Sequence, residues 1–243
     1  MKHMVLLLLG MSLLSAGCSP VQTHGDDTPV ASTNAEQETT IPLSFEEVKV
    51  EQQVTLLDRG IIKQVVKQEH LDTAKLFAFL KANEDPNRLF GGIQIGDALY
   101  EFGDVGALPY VDKLEIQKSS LFQKSVIEVK GLCGANCPFR YYITIEEAKP
   151  SILLFLNEPV ADIADLDQDG VEEIVTSYGS PGVFETRIYT WRDNRIVSAN
   201  HNKLAKARSV WYNRPLFQVQ SGIDSAIKTY RYTSKGLSLV TER

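Results

Sequence analysis

The stretch TRIYTWRDNRIVSA, Thr186–Ala199, indicates how this chain of 243 residues folds. An aromatic run, Tyr189-x-Trp191, is followed by the polar turn residues Arg-Asp-Asn and then by a second apolar run that starts at Ile196. Aromatic and β-branched residues on either side of a short polar turn are typical of two antiparallel strands. The stretch therefore predicts a β-hairpin, and the rest of the chain can be compared with it.

From residue 86 to the C-terminus, turn residues and alternating apolar runs recur at short intervals. The runs include GGIQIGDALYEFG, SVIEVKG, RYYITIEE, SILLFL, PLFQVQSG and IKTYRYTSKGLSLV. Short strands at this spacing predict a mainly β fold, an antiparallel meander that extends over residues 86–243.

A faint internal repeat runs through this region. Tyr189-x-Trp191 matches Tyr230-x-Tyr232, 41 residues later, and a polar turn follows each pair. Repeats of about 40 residues are typical of propeller blades, but aromatic hairpins also resemble one another through propensity alone, and both interpretations stay open. A closed propeller needs about four to eight blades and the region holds at most about three such units. We therefore expect an open meander, or a partial or divergent propeller.

Residues 41–85 predict a small mixed α/β part. GIIKQVVKQ, residues 60–68, could form a strand or a helix, and its β-branched residues favour a strand. HLDTAKLFAFLKAN, residues 70–83, has apolar residues at i, i+3 and i+4 steps, and Asp72 is suited to a helix start. We therefore expect a helix in this second stretch.

The stretch ADLDQDGVEEIV, residues 164–175, crowds four carboxylates around one glycine: Asp165, Asp167, Asp169 and Glu173. Alternate residues can turn their side chains towards one point, and Gly170 can take the sharp bend that other residues resist. Without a cation such carboxylates repel and raise one another's pKa, whereas Ca²⁺ takes hard oxygen ligands of this kind. A charged Asp-Gly hairpin turn is the alternative, but it accounts only for Asp169 and Gly170. Mg²⁺ is disfavoured because it keeps several waters.

The spacing D-x-D-x-D-G-x-x-E resembles two known families. In an EF-hand loop, position 12 is a glutamate, but Thr176 stands there and the flanks read as strands. VADIADLDQDGVEEIV is similar to the FG-GAP (or VCBS) repeat of integrin alpha-chain propellers, with Glu173 in place of the last aspartate, over about 40 residues of one copy. The resemblance implies a calcium loop at 165–173, to which the side chains of Asp165, Asp167, Asp169 and Glu173 and the carbonyl of Val171 contribute ligands.

The N-terminus indicates export and an anchor. MKHMVLLLLGMSLLSAGC has a basic residue, a short apolar region and a small-residue end, as a secretory signal has. Leu14 to Cys18, LSAGC, resembles the lipobox of bacterial lipoproteins, which implies removal of residues 1–17 and acylation of Cys18. A plain signal peptide cut near Ala16 is the alternative. Residues 18–40 are polar and low in apolar groups, and we expect a disordered tether.

The lipoprotein interpretation places the protein on the extracytoplasmic side of a bacterial cell membrane, with the outer membrane as the alternative for a Gram-negative source. The remaining cysteines, Cys133 and Cys137, are predicted to form a disulfide in that oxidising compartment. Half of a zinc site or a redox pair would need further ligands or a closer spacing, and the sequence supplies neither.

Composition narrows the function. The formal net charge is −6, and loss of Lys2 with the signal leaves 24 basic against 31 acidic residues, a difference of −7. An acidic balance argues against nucleic acid as a partner and against electrostatic attraction to anionic lipid. No catalytic set is supported, since YGSPG, residues 178–182, lacks the G-x-S-x-G spacing of a nucleophile elbow.

Five aromatic residues could form a binding face, but at strand spacing such residues more often belong to the core or to cross-strand pairs: Trp191, Trp211, Tyr212, Tyr230 and Tyr232. The sequence thus predicts a lipoprotein of the cell envelope whose calcium-stabilised β domain binds a partner protein or an envelope ligand. An extracytoplasmic hydrolase, with a site assembled from distant residues, is the alternative.

Overall fold

The computed structural model describes residues 40–180 and 182–241, which form β-strands almost throughout. The predicted signal peptide, the acylated Cys18 and all but the last residue of the predicted tether lie outside the described residues. Within the described residues, no helix has both the length and the apolar character needed to cross a membrane.

The secondary structure elements follow one another in a regular series. In chain order they are β1 (Thr40–Ile41), β2 (Glu46–Glu47), β3 (Thr55–Leu56), a 3-10 turn (Arg59–Ile61), β4 (Ile62–Leu71), β5 (Ala74–Lys81), β6 (Arg88–Ile95), β7 (Ala98–Ala107), a 3-10 turn (Leu108–Lys113), β8 (Glu115–Leu121), β9 (Lys124–Gly134), β10 (Cys137–Glu146), β11 (Lys149–Leu156), β12 (Val160–Ala164), β13 (Glu173–Ser180), β14 (Val183–Arg192), β15 (Arg195–Asn200), α1 (His201–Ala205), β16 (Ser209–Asn213), β17 (Leu216–Gln220), β18 (Lys228–Thr233) and β19 (Gly236–Leu239).

Four antiparallel sheets account for all of these strands. Each sheet is a meander of four strands that are consecutive in the sequence: sheet I is β4–β7, sheet II is β8–β11, sheet III is β12–β15 and sheet IV is β16–β19. Sheets I, III and IV each gain a fifth strand from the N-terminal segment. The prediction of a mainly β fold built from antiparallel meanders is confirmed.

The opening hairpin is β14 and β15 of sheet III, paired from Arg187 with Asn200 to Arg192 with Arg195. Its turn residues, Asp193 and Asn194, have φ angles of 50° and 60°. Two successive positive φ angles give the turn a twist that matches the flanking strands, and Asp and Asn tolerate that conformation well. The Tyr230-x-Tyr232 counterpart lies on β18 and, like β14, β18 is the third strand of its sheet's meander.

The core lies between neighbouring sheets. One buried cluster joins sheets I and II, a second joins sheets II and III, and a third joins sheets III and IV. On β13, Ile174 belongs to the second cluster and the next residue, Val175, to the third. Because successive side chains of a strand point to opposite faces, one strand can supply both interfaces. The sheets therefore stack in the order I, II, III, IV.

The helix predicted over residues 70–83 is wrong. Asp72 and Thr73 form a turn in which Asp72 has φ 52°, and the apolar run that follows is strand β5. Leu76 and Leu80 pack into the cluster between sheets I and II, whereas Phe77 and Phe79 pack into a separate cluster on the other face of sheet I. A strand that is buried on both faces is apolar at every position, and such a run also satisfies the i, i+3 and i+4 pattern of a helix. The strand predicted at residues 60–68 is confirmed by β4.

Residues 40–57 form an extended segment, here called the strap, that ties the sheets together. β1 pairs with β19 of sheet IV, β2 pairs with β15 of sheet III, and β3 pairs with β7 of sheet I. Val48 and Val54, between these short strands, are half-buried against the clusters at the II–III and I–II interfaces. The strap therefore runs opposite to the meanders and fastens both ends of the stack.

We expect the buried side of the strap to contribute measurably to stability. The double variant Val48→Asp, Val54→Asp places two carboxylates against apolar clusters, and it should lower the free energy of unfolding by about 2 kcal/mol or more. Urea unfolding of the purified mature protein, followed by circular dichroism, measures this change.

The matched control adds the same two carboxylates on the exposed side of the strap. Lys49 and Gln53 are exposed, so Lys49→Asp, Gln53→Asp should stay within about 0.5 kcal/mol of the wild type. Equal losses in the two double variants would contradict a role for the buried side of the strap.

Candidate metal centre

The acidic loop connects β12 to β13 in sheet III. The two strands are antiparallel, and Ala164 pairs with Glu173 at the point where the loop begins and ends. Both flanks are strands, as expected, so the segment is a hairpin rather than a helix–loop–helix. Gln168 and Gly170 have φ angles of 63° and 89°, and these two bends turn the backbone back towards β13.

Three of the predicted ligand residues come together. Asp165, Asp167 and Glu173 each place one carboxylate oxygen within 4.8 Å of the other two. Asp169 is not part of this group, and its Oδ1 accepts a hydrogen bond from the Val171 N–H at 2.8 Å. The loop thus gathers a carboxylate from β13 with two that precede the glycine.

Backbone hydrogen bonds hold the loop in this shape. The Asp165 carboxylate accepts from the N–H groups of Asp169 and Gly170, both at 3.0 Å. From sheet II, Gln123 Nε2 donates to the Gly170 carbonyl at 3.0 Å. The side chain of Val171 packs against the cluster between sheets II and III. These contacts fix the loop, and they engage both carboxylate oxygens of Asp165.

Glu173 and Asp167 are the carboxylates whose burial is unfavourable in this loop. Glu173 is only 1% exposed, and it accepts hydrogen bonds from the Leu166 N–H at 2.9 Å and from Thr190 Oγ1 at 3.2 Å. Asp167 is half-buried, and its buried Oδ1 has no hydrogen-bond partner among the described residues. A buried carboxylate oxygen without a partner is costly, and a cation at this point would satisfy it.

The carboxyl pKa values reflect this environment. Burial raises the pKa of Glu173 to about 7, although the Leu166 hydrogen bond opposes the shift, and the charge of Asp167 adds to it. Burial, together with the charges of Asp169 and Asp165, also raises the pKa of Asp167. Within residues 40–180 and 182–241, none of the ion pairs includes these carboxylates. Arg192 opposes the shift of Asp167, but its guanidinium stacks 4.0 Å above the Phe45 ring.

The residues present therefore fit a hard divalent cation. Ca²⁺ takes carboxylate oxygens and backbone carbonyls as ligands, about six to eight in all. The carboxylates and carbonyls of this loop can supply most of that number. Asp162 and Glu172, which match no ligand position in the sequence pattern, lie apart from the group. The Asp162 carboxylate accepts from Tyr212 Oη at 2.8 Å and pairs with Arg214 Nε at 3.2 Å.

Comparisons with family models, with curated proteins and with solved structures find no match to this chain.

The other residues singled out in the sequence fall in separate places. Cys133 and Cys137 lie at disulfide distance around the β9–β10 turn, with Cα atoms 5.2 Å apart. Tyr230 and Tyr232 are 5% and 1% exposed in the core between sheets III and IV, in agreement with the core interpretation. His201 is fully buried and stacks on the Phe217 ring with centroids 5.0 Å apart.

Sequence reasoning missed a polar network at the opposite end of the β12–β13 hairpin. Glu158 Oε2 accepts from Thr176 Oγ1 at 2.7 Å and from Tyr189 Oη at 3.3 Å. These partners are 18 and 31 residues away in the chain, so local spacing carries no signal for them. Only the pairing of β12, β13 and β14 brings them together.

We expect the stability of the metal-free protein to depend on the ionisation of Glu173. The ordinary carboxyl pKa is 4.5, and the folded value is about 7. Because the folded state binds this proton more tightly, the group favours folding below the lower value and loses that contribution as the pH rises through the higher one. Urea unfolding in EDTA, at about pH 5 and about pH 8, should show this loss in the wild type but not in Glu173→Gln.

The neighbouring carboxylate provides the control. Glu172 is exposed, so Glu172→Gln should keep the pH dependence of the wild type. The same pH dependence in Glu173→Gln as in Glu172→Gln would contradict the assignment to Glu173.

Proposed function

We propose that this chain is a lipid-anchored protein of the bacterial cell envelope whose β domain is stabilised by Ca²⁺ and acts as a binding module. The observation that carries the proposal is the convergence of Asp165, Asp167 and Glu173, with their oxygens within 4.8 Å of one another. The unpartnered, buried Oδ1 of Asp167 supports it. A bound Ca²⁺ would supply the positive charge that lets these carboxylates stay ionised and close together.

The proposed ligand set is wider than the converged group. The side chains of Asp165, Asp167, Asp169 and Glu173 and the carbonyl of Val171 would hold the ion, as the resemblance to FG-GAP repeats implies. Ca²⁺ takes about six to eight oxygens, so carboxylates that bind through both oxygens, or added waters, would complete the shell. The role proposed for the ion is structural, since it would fasten a hairpin that lies between two sheets.

We also propose that the four sheets are the blades of an open, divergent propeller. Each sheet is a four-stranded antiparallel meander, which is the unit of a propeller blade. Consecutive blades pack face to face through separate core clusters. Such a stack presents its strand edges and turns as recognition surfaces, and a binding role uses these surfaces.

The proposed location rests on the N-terminal sequence. The LSAGC sequence at residues 14–18 and the polar residues after it would place an acylated Cys18 in the membrane and the β domain at a distance from it. The pair of Cys133 and Cys137 at disulfide distance is compatible with an oxidising compartment. The binding partner would be a protein or another ligand of the envelope.

Thermal unfolding tests the metal assignment. Ca²⁺ at about 100 times its dissociation constant should stabilise the purified mature protein by about 2.7 kcal/mol, which corresponds to a rise in Tm of about 5–10 °C for a domain of this size. Asp167→Asn removes a ligand charge while keeping the shape, so it should reduce or abolish the Ca²⁺-induced rise.

The control for this experiment is Asp193→Asn, in the exposed turn between β14 and β15. Asn tolerates the φ of 50° at that position, and this variant should respond to Ca²⁺ as the wild type does. Equal Tm values in Ca²⁺ and in EDTA for the wild type would refute the metal site. An equal response to Mg²⁺ would refute the choice of Ca²⁺.

Membrane fractionation tests the anchor. Without the thiol of Cys18 no acyl chain can be attached, so Cys18→Ser should move the protein from the membrane fraction to the soluble fraction. Metabolic labelling with a fatty acid should mark the wild type and leave Cys18→Ser unlabelled. Cys133→Ser is the control and should remain labelled, and an unchanged membrane fraction for Cys18→Ser would count against lipidation.

A further inference from the structure

A cleft opens between sheets II and III, at the end of the β12–β13 hairpin that lies away from the acidic loop. Its volume is about 710 Å³, within the range of about 300–1,000 Å³ that small-molecule sites occupy. The residues with polar or aromatic side chains that line it are Asn136, Asn157, Glu158, Ser177, Tyr178 and Phe184. Tyr178 is five residues from Glu173 along β13, so the cleft and the acidic loop are about 17 Å apart.

The residues that line the cleft are held in place by contacts behind them. Glu158 is fixed by Thr176 and Tyr189, through the hydrogen bonds of 2.7 and 3.3 Å to its Oε2. The backbone of Phe184 is fixed on both sides. Its N–H donates to Ser209 Oγ at 2.9 Å, and its carbonyl accepts from Asn202 Nδ2 at 2.7 Å. A site whose groups are already fixed loses less entropy when a ligand binds.

Two positions at the rim are constrained as well. Asn136 lies inside the short turn that Cys133 and Cys137 close. On the opposite side, Gly179 has φ 143°, and a Cβ added there would lie 2.1 Å from the Val183 carbonyl oxygen. Only glycine fits at that position, which pairs directly with Phe184 of β14.

The charges around the cleft favour a neutral ligand. Glu158 is the one charged side chain among the described residues that line the cleft. Arg187 lies nearby and pairs with Glu185 at 3.7 Å; burial lowers the pKa of Arg187, but the nearby groups Tyr189, Glu158 and Glu185 raise it overall. No lysine or arginine lines the cleft within the described part of the chain, so a phosphate or another anion would find no countercharge there.

The cleft is lined by hydrogen-bonding groups next to aromatic rings. Two amides, the Tyr178 hydroxyl and a carboxylate offer both donors and acceptors, and the two aromatic rings of the lining add apolar surface. The Ser177 hydroxyl is already paired with Thr186 Oγ1 at 3.1 Å. Asn136 and Asn157 are exposed, so their amides are accessible to a ligand. We propose that this cleft binds a neutral, hydroxyl-rich ligand, a short saccharide. This inference rests on the proposed function and deepens it, because it names the class of ligand that the binding module takes.

Calorimetric titration of the mature protein tests the proposal, in a detergent without a sugar head group. The probes are cellobiose, maltose and N,N′-diacetylchitobiose, and at least one should bind with a Kd below about 1 mM. Asn136→Ala, Asn157→Ala removes two amides that could bond to hydroxyls, and each lost hydrogen bond should weaken binding by about tenfold. The control is Asn83→Ala, Asn213→Ala, two exposed asparagines outside the cleft, which should bind as the wild type does.

Several results would overturn the inference. They are the absence of binding by all three disaccharides up to about 10 mM, unchanged affinity in the cleft variant, and binding of inorganic phosphate or ethanolamine that the cleft variant abolishes. The same samples are melted with Ca²⁺ and with EDTA. A protein that Ca²⁺ stabilises but that binds no saccharide refutes the ligand class alone. Saccharide binding without a Ca²⁺ response refutes the calcium-stabilised module and leaves the cleft assignment standing.

Discussion

Burial on both faces of a sheet is the constraint on which this structure depends. Sheets II and III each lie between two neighbours, so their strands must offer apolar side chains in both directions. β13 does this with adjacent residues, Ile174 towards sheet II and Val175 towards sheet IV. Because successive side chains of a strand point to opposite faces, one regular strand can contribute to both interfaces without any distortion of its backbone. Each sheet thereby positions the next one, and the hairpin turns end up at the rims of the interfaces.

A linear stack leaves its two end sheets with less support than its middle sheets. Within the described residues, no core cluster joins sheet I to sheet IV. The strap compensates in part, because it pairs with both end sheets and with sheet III. Its strands are only two residues long and carry little buried area. The half-buried Val48 and Val54 add to the ladders, and they anchor the strap at two interfaces.

Local features of the fold could be predicted from the sequence, because a few neighbouring residues determine them. The Asp193–Asn194 turn, the strand flanks of the acidic loop and the pairing of Cys133 with Cys137 all involve residues that are close in the chain. The helix predicted over residues 70–83 failed because the local pattern there is ambiguous. A run that alternates between two apolar clusters looks the same as one side of a helix, and only the presence of both neighbours resolves it.

Contacts between residues far apart in the chain could not be predicted from local sequence patterns. Thr40 pairs with Ser238 across almost the whole chain, and the cleft takes its lining from the β9–β10 and β11–β12 turns and from strands β13 and β14. The candidate metal site lies between these extremes. Its residues were identified from spacing, but the spacing could not show that Glu173 is buried or that Asp169 turns to the Val171 N–H.

The acidic loop also has an energetic consequence for where such a protein can work. A metal-free hairpin would be more stable with amides at Asp167 and Glu173, because burial penalises their charged forms. On the proposed assignment, bound Ca²⁺ offsets that penalty whenever its concentration exceeds the dissociation constant. Extracellular calcium modules function with dissociation constants of about 10⁻⁴–10⁻³ M. A site built from short aspartates in a hairpin loop can therefore bind weakly and still be filled outside the cytoplasm. The same hairpin, once fixed at its acidic end, holds Glu158 and Tyr178 in position at the other end, so that one structural ion would support the rim of the cleft along β13.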